Sequence, residues 1–401
     1  MKILENGSVT TPNGFRAGAV AAEIKYQGRT DLAAVYSEVP AKAAAVYTLN
    51  KFKAAPLQVT ESNLADGLAQ AIVVNSGIAN AGMGTEGLKQ AQQMSDWAGE
   101  ALGIPSTSCI VASTGVIGMP LPMDNLHKGV QAVSKVLKED GGHDAAKAIM
   151  TTDTHPKEMA VEVEISGKTV TIGAMAKGSG MIHPNMATML GFLTSDVNID
   201  GDALKEAFKA NIDDSFNMIS VDGDTSTNDM VVILANGRAG NDLLTVDSPD
   251  FPVFRDALRM ICIEMAQKIA GDGEGATKLV ETTVLHAKSD SDARKAAKAI
   301  IASSLVKTAV YGNDANWGRI ACAAGYSGAE FDPNLVDIFI GDIQVAKNGM
   351  GLAFDEAEAT ALLKQKKVQI TVDFHIGNDR ATAWGCDLTY DYVKINADYR
   401  S

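Results

Sequence analysis

The residues with the most chemistry to offer lie between Lys177 and Leu190, KGSGMIHPNMATML. Thr188 follows a small residue, Ala187, and opens an apolar run, Met189-Leu190-Gly191-Phe192-Leu193. Inside an intact chain its hydroxyl is unremarkable. If the Ala187–Thr188 bond is cut, Thr188 holds a free α-amine and a hydroxyl in one residue. An α-amine titrates at about 7.7–8.0, so it can take the proton from that hydroxyl and leave a nucleophile. Taken alone, a short motif of this kind more often means only a loop feeding a strand.

Other stretches offer complementary groups. Ser113-Thr114-Gly115-Val116-Ile117-Gly118 ends a strand in small and hydroxyl residues. Backbone N–H groups in such a turn can converge on an oxyanion, although a plain strand-to-loop turn has the same composition. Thr151-Thr152-Asp153-Thr154 is rich in hydroxyls. Gly271-Asp-Gly-Glu-Gly-Ala-Thr-Lys278 lacks the G-x-x-x-x-G-K-[ST] spacing of a phosphate loop, and its acids Asp272 and Glu274 repel phosphate. It reads either as a glycine loop holding Glu274 toward a cation or as a solvated turn. In Gly312-Asn-Asp-Ala-Asn-Trp-Gly-Arg319, Asp314 or Asn316 can cap the following small-residue helix. The terminal Asn396-Ala-Asp-Tyr-Arg-Ser401 is polar and frays unless it docks on the body.

Composition narrows the setting. With 401 residues the chain exceeds one ordinary core. Its 46% hydrophobic content and 37 glycines describe a compact globular protein with many turns. A net charge of −14 argues against nucleic-acid binding, which needs a basic footprint. The N-terminal MKILENGSV has no apolar signal segment, and no apolar run reaches the ~20 residues of a membrane span. Cys109, Cys262, Cys322 and Cys386 form no C-x-x-C pair and read as buried thiols of a cytoplasmic protein. The six histidines show no metal-ligand spacing, so no metal is expected.

The elements that must position these groups are mixed. Short Ala-rich strands over 17–26, 32–38 and 43–50 predict a sheet buried on both faces. Strands follow at 71–75 and 109–112, with a helix over 86–102 closed by Gly103 and another capped by Asp124 with Leu126, Val130, Val133 and Val136 inward. Residues 159–165 and 169–175 alternate around Ser166-Gly167, a hairpin that delivers Lys177. Beyond Thr188 the pattern predicts strands to 193 and at 218–221, 230–234 and 279–287. It places helices over 200–212, 252–270, 292–306 and 355–366, with late strands near 335–345, 368–376 and 386–395. Adjacent strand pairs among helices predict mixed sheets covered by helices, not a doubly wound parallel sheet.

Together and in this order, the KGSGMI-x-PNMATML string, the STGVIG turn, GDGEGATK, GNDANWGRI and NADYRS closely resemble the ornithine acetyltransferase (glutamate N-acetyltransferase, ArgJ) family of arginine biosynthesis, over essentially the whole chain. The resemblance implies a self-cleaving precursor giving an α chain, 1–187, and a β chain, 188–401, the latter with a smaller α/β lobe at about 280–401. The two stay together as an α2β2 heterotetramer in an α/β/β/α sandwich that looks like N-terminal-nucleophile hydrolases. It implies acetyl transfer from N-acetylornithine to glutamate, releasing ornithine and N-acetylglutamate, without metal or organic cofactor; some members also take acetyl-CoA as donor. Matched to the family pattern, Thr188 is the nucleophile, Thr114 and Gly115 form the oxyanion hole, and Thr154, Lys177, Thr188, Glu274, Asn396 and Ser401 contact substrate. The residues themselves leave two other readings open: an N-terminal-threonine aminopeptidase or amidase using water as acceptor, and a non-enzymatic oligomeric binding protein.

Overall fold

The computed structural model describes residues 1–183 and 189–398. Ala187, Thr188 and Ser401 lie outside the described residues. Two compact units share the chain: one takes 1–178, 189–213 and 225–265, the other 179–183, 214–224 and 266–398.

The first unit holds strands β1 (Lys2–Leu4), β2 (Phe15–Val20), β3 (Leu32–Tyr47), β4 (Leu68–Asn75), β5 (Cys109–Ser113), β6 (Lys157–Ile165), β7 (Lys168–Lys177) and β8 (Leu190–Ser195). After β9 (Ile219–Ser220), which joins the other sheet, it adds β10 (Met230–Ala235). The sheet runs β1-β6-β7-β8-β10-β3-β4-β5, with β2 also on β3. β8 and β10 are parallel, as are β4 and β5, whereas β7 pairs antiparallel with β8 and β10 with β3. The sheet is therefore mixed, as the adjacent hairpins predict.

Its strands are buried on both faces by period-two alternation. Ala33 and Val35 of β3, Ile72 and Val74 of β4 and Ile110 of β5 join one core. The intervening Leu32, Ala34, Ala71, Val73 and Val111 join the other. That second face is covered by α1 (Ala55–Asn63), α2 (Gly84–Leu102) and α3 (Met123–Val133) through Val59, Met94 and Val130. On the first face α4 (Gly142–Ala148) inserts Ala145, Ala146 and Ala148. The expected β6–β7 hairpin is present, and Ser166 and Gly167 take φ of 50° and 68°, the doubly positive pair of a two-residue hairpin turn. α5 (Gly201–Asp213) begins after Asp200, whose Oδ1 accepts from the Asp202 N–H at 2.9 Å.

Helix α6 (Phe251–Gly271) carries the chain into the second unit, which holds α7 (Asp290–Ala302), α8 (Ser304–Gly312), α9 (Trp317–Gly325), α10 (Glu356–Leu363) and α11 (Tyr390–Ala397). Its strands are β9, β11 (Leu279–Ala287), β12 (Asp337–Ile340), β13 (Ile343–Lys347), β14 (Met350–Gly351), β15 (Lys367–Asp373) and β16 (Asp379–Cys386). They run β14-β13-β12-β15-β11-β16-β9, again a mixed sheet.

Several boundaries differ from the sequence reading, each for a local reason. The strands expected at 32–38 and 43–50 are one, β3; the interruption around Val39-Pro40 is absorbed by a register shift between Tyr36 and Ala41. Asp124 lies in the first turn of α3 rather than at its cap, which is Pro122, and Val136 lies beyond the helix end and is exposed. The helix expected over 292–306 breaks at Ser303, whose hydroxyl accepts from the Val306 N–H and caps a new helix. The strand expected at 386–395 is instead the last residue of β16 followed by α11, because Thr389 caps a helix by accepting from the Tyr392 N–H. Cys322 is exposed, unlike the other three cysteines.

Candidate active site

In the first unit, β7 ends at Lys177, which is buried and so needs a countercharge. Asp153 supplies it. Its carboxylate lies 2.7 Å from Lys157 Nζ and 3.9 Å from Lys177 Nζ. The Gly178 N–H donates to Asp153 Oδ1 at 2.7 Å and the Thr151 N–H to Oδ2 at 3.0 Å. Burial pushes this carboxyl upward, but the Lys177 and Lys157 ammoniums and the Gly178 N–H outweigh it and hold it well below the usual range. Asp153, not the neighbouring threonines, is thus the residue of the TTDT run that organises the end of β7. Thr154 is exposed, its Oγ1 3.0 Å from His155 Nδ1.

The STGVIG turn is braced from beneath. The Thr114 N–H donates to the Asn75 carbonyl, Val116 N–H to Gly77 O and Gly118 N–H to Ala81 O. Asn75 Oδ1 accepts from the Ser113 hydroxyl at 2.6 Å, and Asn75 Nδ2 donates to the Ile78 carbonyl at 3.0 Å. Asn228 Nδ2 donates to the carbonyls of Ala79 at 2.6 Å and Ser113 at 2.8 Å. Gly115 sits at φ of 132°, and a Cβ there would stand 2.2 Å from the Gly77 carbonyl carbon. Within this brace the Thr114 hydroxyl and the Gly115 N–H have no hydrogen-bond partner among the described residues. A rigid turn with a spare hydroxyl and a spare N–H is what oxyanion stabilisation requires.

Asp229 is the unexpected member of this unit. It precedes β10, whose Met230 pairs with Leu190 and donates its N–H to the Met189 carbonyl. Burial pushes its carboxyl well above the usual range against hydrogen bonds from Ser226 and Thr48 and the Lys177 charge. Its Oδ2 has no partner among the described residues. Strongly shifted buried carboxyls of this sort cluster at functional sites.

In the second unit the GDGEGATK loop holds Glu274, which is buried. Its N–H donates to the Ser179 carbonyl at 2.9 Å, and its Oε2 accepts from Asn396 Nδ2 at 2.7 Å. The C-terminal segment therefore docks through α11. Asp387 reinforces the loop by accepting from the N–H groups of Thr277 at 2.8 Å and Lys278 at 3.0 Å, and Thr389 Oγ1 donates to Gly275 O at 2.7 Å. A Cβ on Gly180 would meet the Glu274 carboxylate at 2.4 Å, so the glycine of the KGSG string makes room for that side chain. Lys278 Nζ donates to Val310 O and Asn313 Oδ1 at the end of α8, which removes it from any phosphate role. Asn316, not Asp314, accepts from Arg319 N–H and caps α9.

The structure thus places Lys177, Thr114 and Gly115 in the first unit, and Glu274 and Asn396 against each other in the second. Thr188, Ala187 and Ser401 lie outside the described residues. Asp153, Lys157, Asn75, Asn228 and Asp229 were not singled out from sequence; the one available signal was their place in the polar TTDT and STND runs beside candidate strands.

Two outcomes follow from these charges. Asp153→Asn keeps the shape but leaves Lys157 as an uncompensated buried ammonium. The change should cost about 3–5 kcal/mol of stability, read by chemical denaturation of the purified variant. His183 Nδ1 lies 3.0 Å from Ser220 Oγ, and burial, with the Lys298 charge, presses its pKa down to about 4 against the pull of Asp222. A depressed folded pKa means stability intact above the unfolded value, about 6.5, and lost as pH falls toward 4. Thermal melts between those pH values should fall more steeply for the parent protein than for His183→Gln; parallel curves would refute the assignment.

Comparison with known proteins agrees with this geometry. The ArgJ family profile matches residues 16–401. The arginine biosynthesis bifunctional protein ArgJ of Symbiobacterium thermophilum is 56% identical over 397 residues, covering 98% of this chain and 99% of its own. That of Geobacillus kaustophilus is 52% identical, with 99% and 97% covered. The crystal structure of the Bacillus halodurans protein of the same name superposes with a TM-score of 0.52 at 54% identity, covering 52% of this chain and 99% of its own. On the strength of the full-length profile match and these identities, the chain belongs to the ArgJ family.

Proposed function

We propose that this protein is a self-processing acetyltransferase of arginine biosynthesis. It moves the acetyl group of N2-acetyl-L-ornithine to L-glutamate through an acetyl ester on Thr188. The observation that carries the reading is the braced 113–118 turn with its spare Thr114 hydroxyl and Gly115 N–H, in a chain of this family.

Maturation comes first. The Thr188 hydroxyl attacks the Ala187 carbonyl, and hydrolysis of the resulting ester frees the Thr188 amine. Support for two pieces comes from the solved relative, whose chain spans 52% of this one, about the share made up by residues 188–401. In turnover the amine takes the hydroxyl proton while the oxygen attacks the acetyl carbon of N-acetylornithine. Thr114 and Gly115 hold the developing O⁻, and losing one such donor typically costs about 10²–10³ in rate. Ornithine departs carrying the proton, and the glutamate amine then takes the acetyl group from the ester and regenerates the hydroxyl. Two half-reactions through one covalent intermediate give ping-pong kinetics.

In this scheme Glu274 pairs with the cationic amine of ornithine, steadied by Asn396; Lys177 faces a substrate carboxylate or the nucleophile, and Thr154 and Ser401 complete the pocket. The relatives' description as bifunctional supports acetyl-CoA as a second donor. The chemistry needs no metal or organic cofactor. A cytoplasmic α2β2 assembly of the two fragments fits a chain in which no described helix is long and apolar enough to cross a membrane.

Two variants test the scheme. Thr188→Ala should run as a single full-length band and transfer no acetyl group, whereas the larger mature fragment of the parent should read Thr-Met-Leu-Gly by N-terminal sequencing; a cleaved, active variant would overturn it. Gly180→Ala pushes only the flexible end of Glu274, so it should melt like the parent while the KM for N-acetylornithine rises on the order of tenfold, with glutamate kinetics less affected.

A further inference from the structure

Outside this machinery, the second unit brings together two histidines and two aspartates at the far end of β11. His286 and His375 sit in strained left-handed backbone, φ of 50° and 54°, which residues bearing a Cβ rarely adopt. His286 lies in the irregularity where β11 shifts register between Val284 and Ala287. His375 follows β15, its N–H donating to Asp373 Oδ1 at 3.0 Å. The 374–377 segment is laid along β11 by Phe374 N–H to Leu285 O and by Ile376 and Gly377 N–H to His286 O. The two imidazoles stack with centroids 6.0 Å apart.

We propose that His286, Asp373 and His375 form a binding site for a divalent first-row transition ion of the zinc type. Three observations combine. First, the donors converge: His286 Nδ1 is 2.8 Å and His375 Nδ1 3.4 Å from Asp373 oxygens, and all three ligand atoms lie within 4.8 Å of one another. Tetrahedral zinc with ligands at about 2.0–2.1 Å spaces them about 3.3 Å apart, so small rotations of half-exposed rings complete the geometry. Second, the tautomer is set: His375 Nε2 lies 3.2 Å from Asp337 Oδ2, so Nε2–H donates to that carboxylate and Nδ1 keeps its lone pair for the ion. This is the carboxylate–histidine–metal relay that orients metal ligands. Third, the carboxylates are mostly buried while both imidazoles are half-exposed, which leaves an entry path and room for water as fourth ligand. Among the described residues this is the one grouping of three such donors.

Two imidazoles and a carboxylate select zinc, cobalt or nickel over magnesium or calcium, which prefer all-oxygen shells. The nine residues of β11, at roughly 3.3 Å each, separate the cluster from the 271–278 loop by most of the strand. The ion therefore clasps β11, β15 and β12 and takes no part in acetyl transfer.

The test uses untagged full-length protein freed of metal by chelator. Cobalt(II) alone should bind at one equivalent per chain, develop the intense visible bands of a four-coordinate ion, and be displaced by zinc but not by a large excess of magnesium. Zinc should raise the unfolding temperature by several degrees and leave acetyl transfer unchanged. His286→Gln and His375→Gln should each weaken cobalt binding at least tenfold while far-UV circular dichroism and basal activity stay at parent values. Six-coordinate spectra, displacement by magnesium, or binding undiminished in both variants would overturn the site.

Discussion

One buried carboxylate carries much of the first unit's design. Asp153 answers two ammoniums, those of Lys157 and Lys177, and one backbone donor at Gly178. Putting three charges out of water is costly unless their geometry is fully satisfied. Here the geometry is set by strand register: β6 begins at Lys157 and β7 ends at Lys177, paired so that Lys157 lies opposite Ala176. A shift of one residue in this hairpin would turn both lysines to the opposite face and leave Asp153 alone. The hairpin turn at Ser166-Gly167 and the carboxylate at its open end thus specify the same pairing.

The same economy appears around the STGVIG turn. Asn75 and Asn228 spend their amide groups on carbonyls and a hydroxyl of the 75–82 and 113–118 segments. Buried amides of this kind stiffen a loop when every partner is present. Satisfying the turn from beneath leaves two donors on its other side uncommitted. Preorganisation of this sort lowers the reorganisation a developing oxyanion would otherwise require.

In the second unit the acidic loop depends on the last strand and helix of the chain. Asp387, Thr389 and Asn396 contact it in sequence order, at its Thr277, Gly275 and Glu274. Two glycines make the approach feasible: a Cβ at Gly275 would meet the Tyr392 nitrogen at 2.6 Å, and one at Gly180 the Glu274 carboxylate. The polar terminus is ordered through Asn396 because its amide completes a buried carboxylate.

The sequence by itself determined the strands with clean alternation, the helices with strong spacing, the mixed character of the sheets and, through the long KGSGMI-x-PNMATML string, the family. These are local patterns: period two, period 3.6, and a run of residue types that few folds share. Competition between local capping and longer-range pairing was not legible, so Ser303 broke a helix and Thr389 replaced an expected strand with α11. Nor were the residues that support the candidate site. Asp153 reads as one more polar residue in TTDT, and Asn75 and Asn228 as turn formers, until the sheet brings their partners within hydrogen-bond distance. The cluster of His286, Asp373 and His375 is likewise invisible along the chain, because parallel pairing of β11 with β15 joins residues far apart in sequence. Residue types and short periods are written in order along the chain; which charges face one another is decided only when register and crossover connections close the sheets.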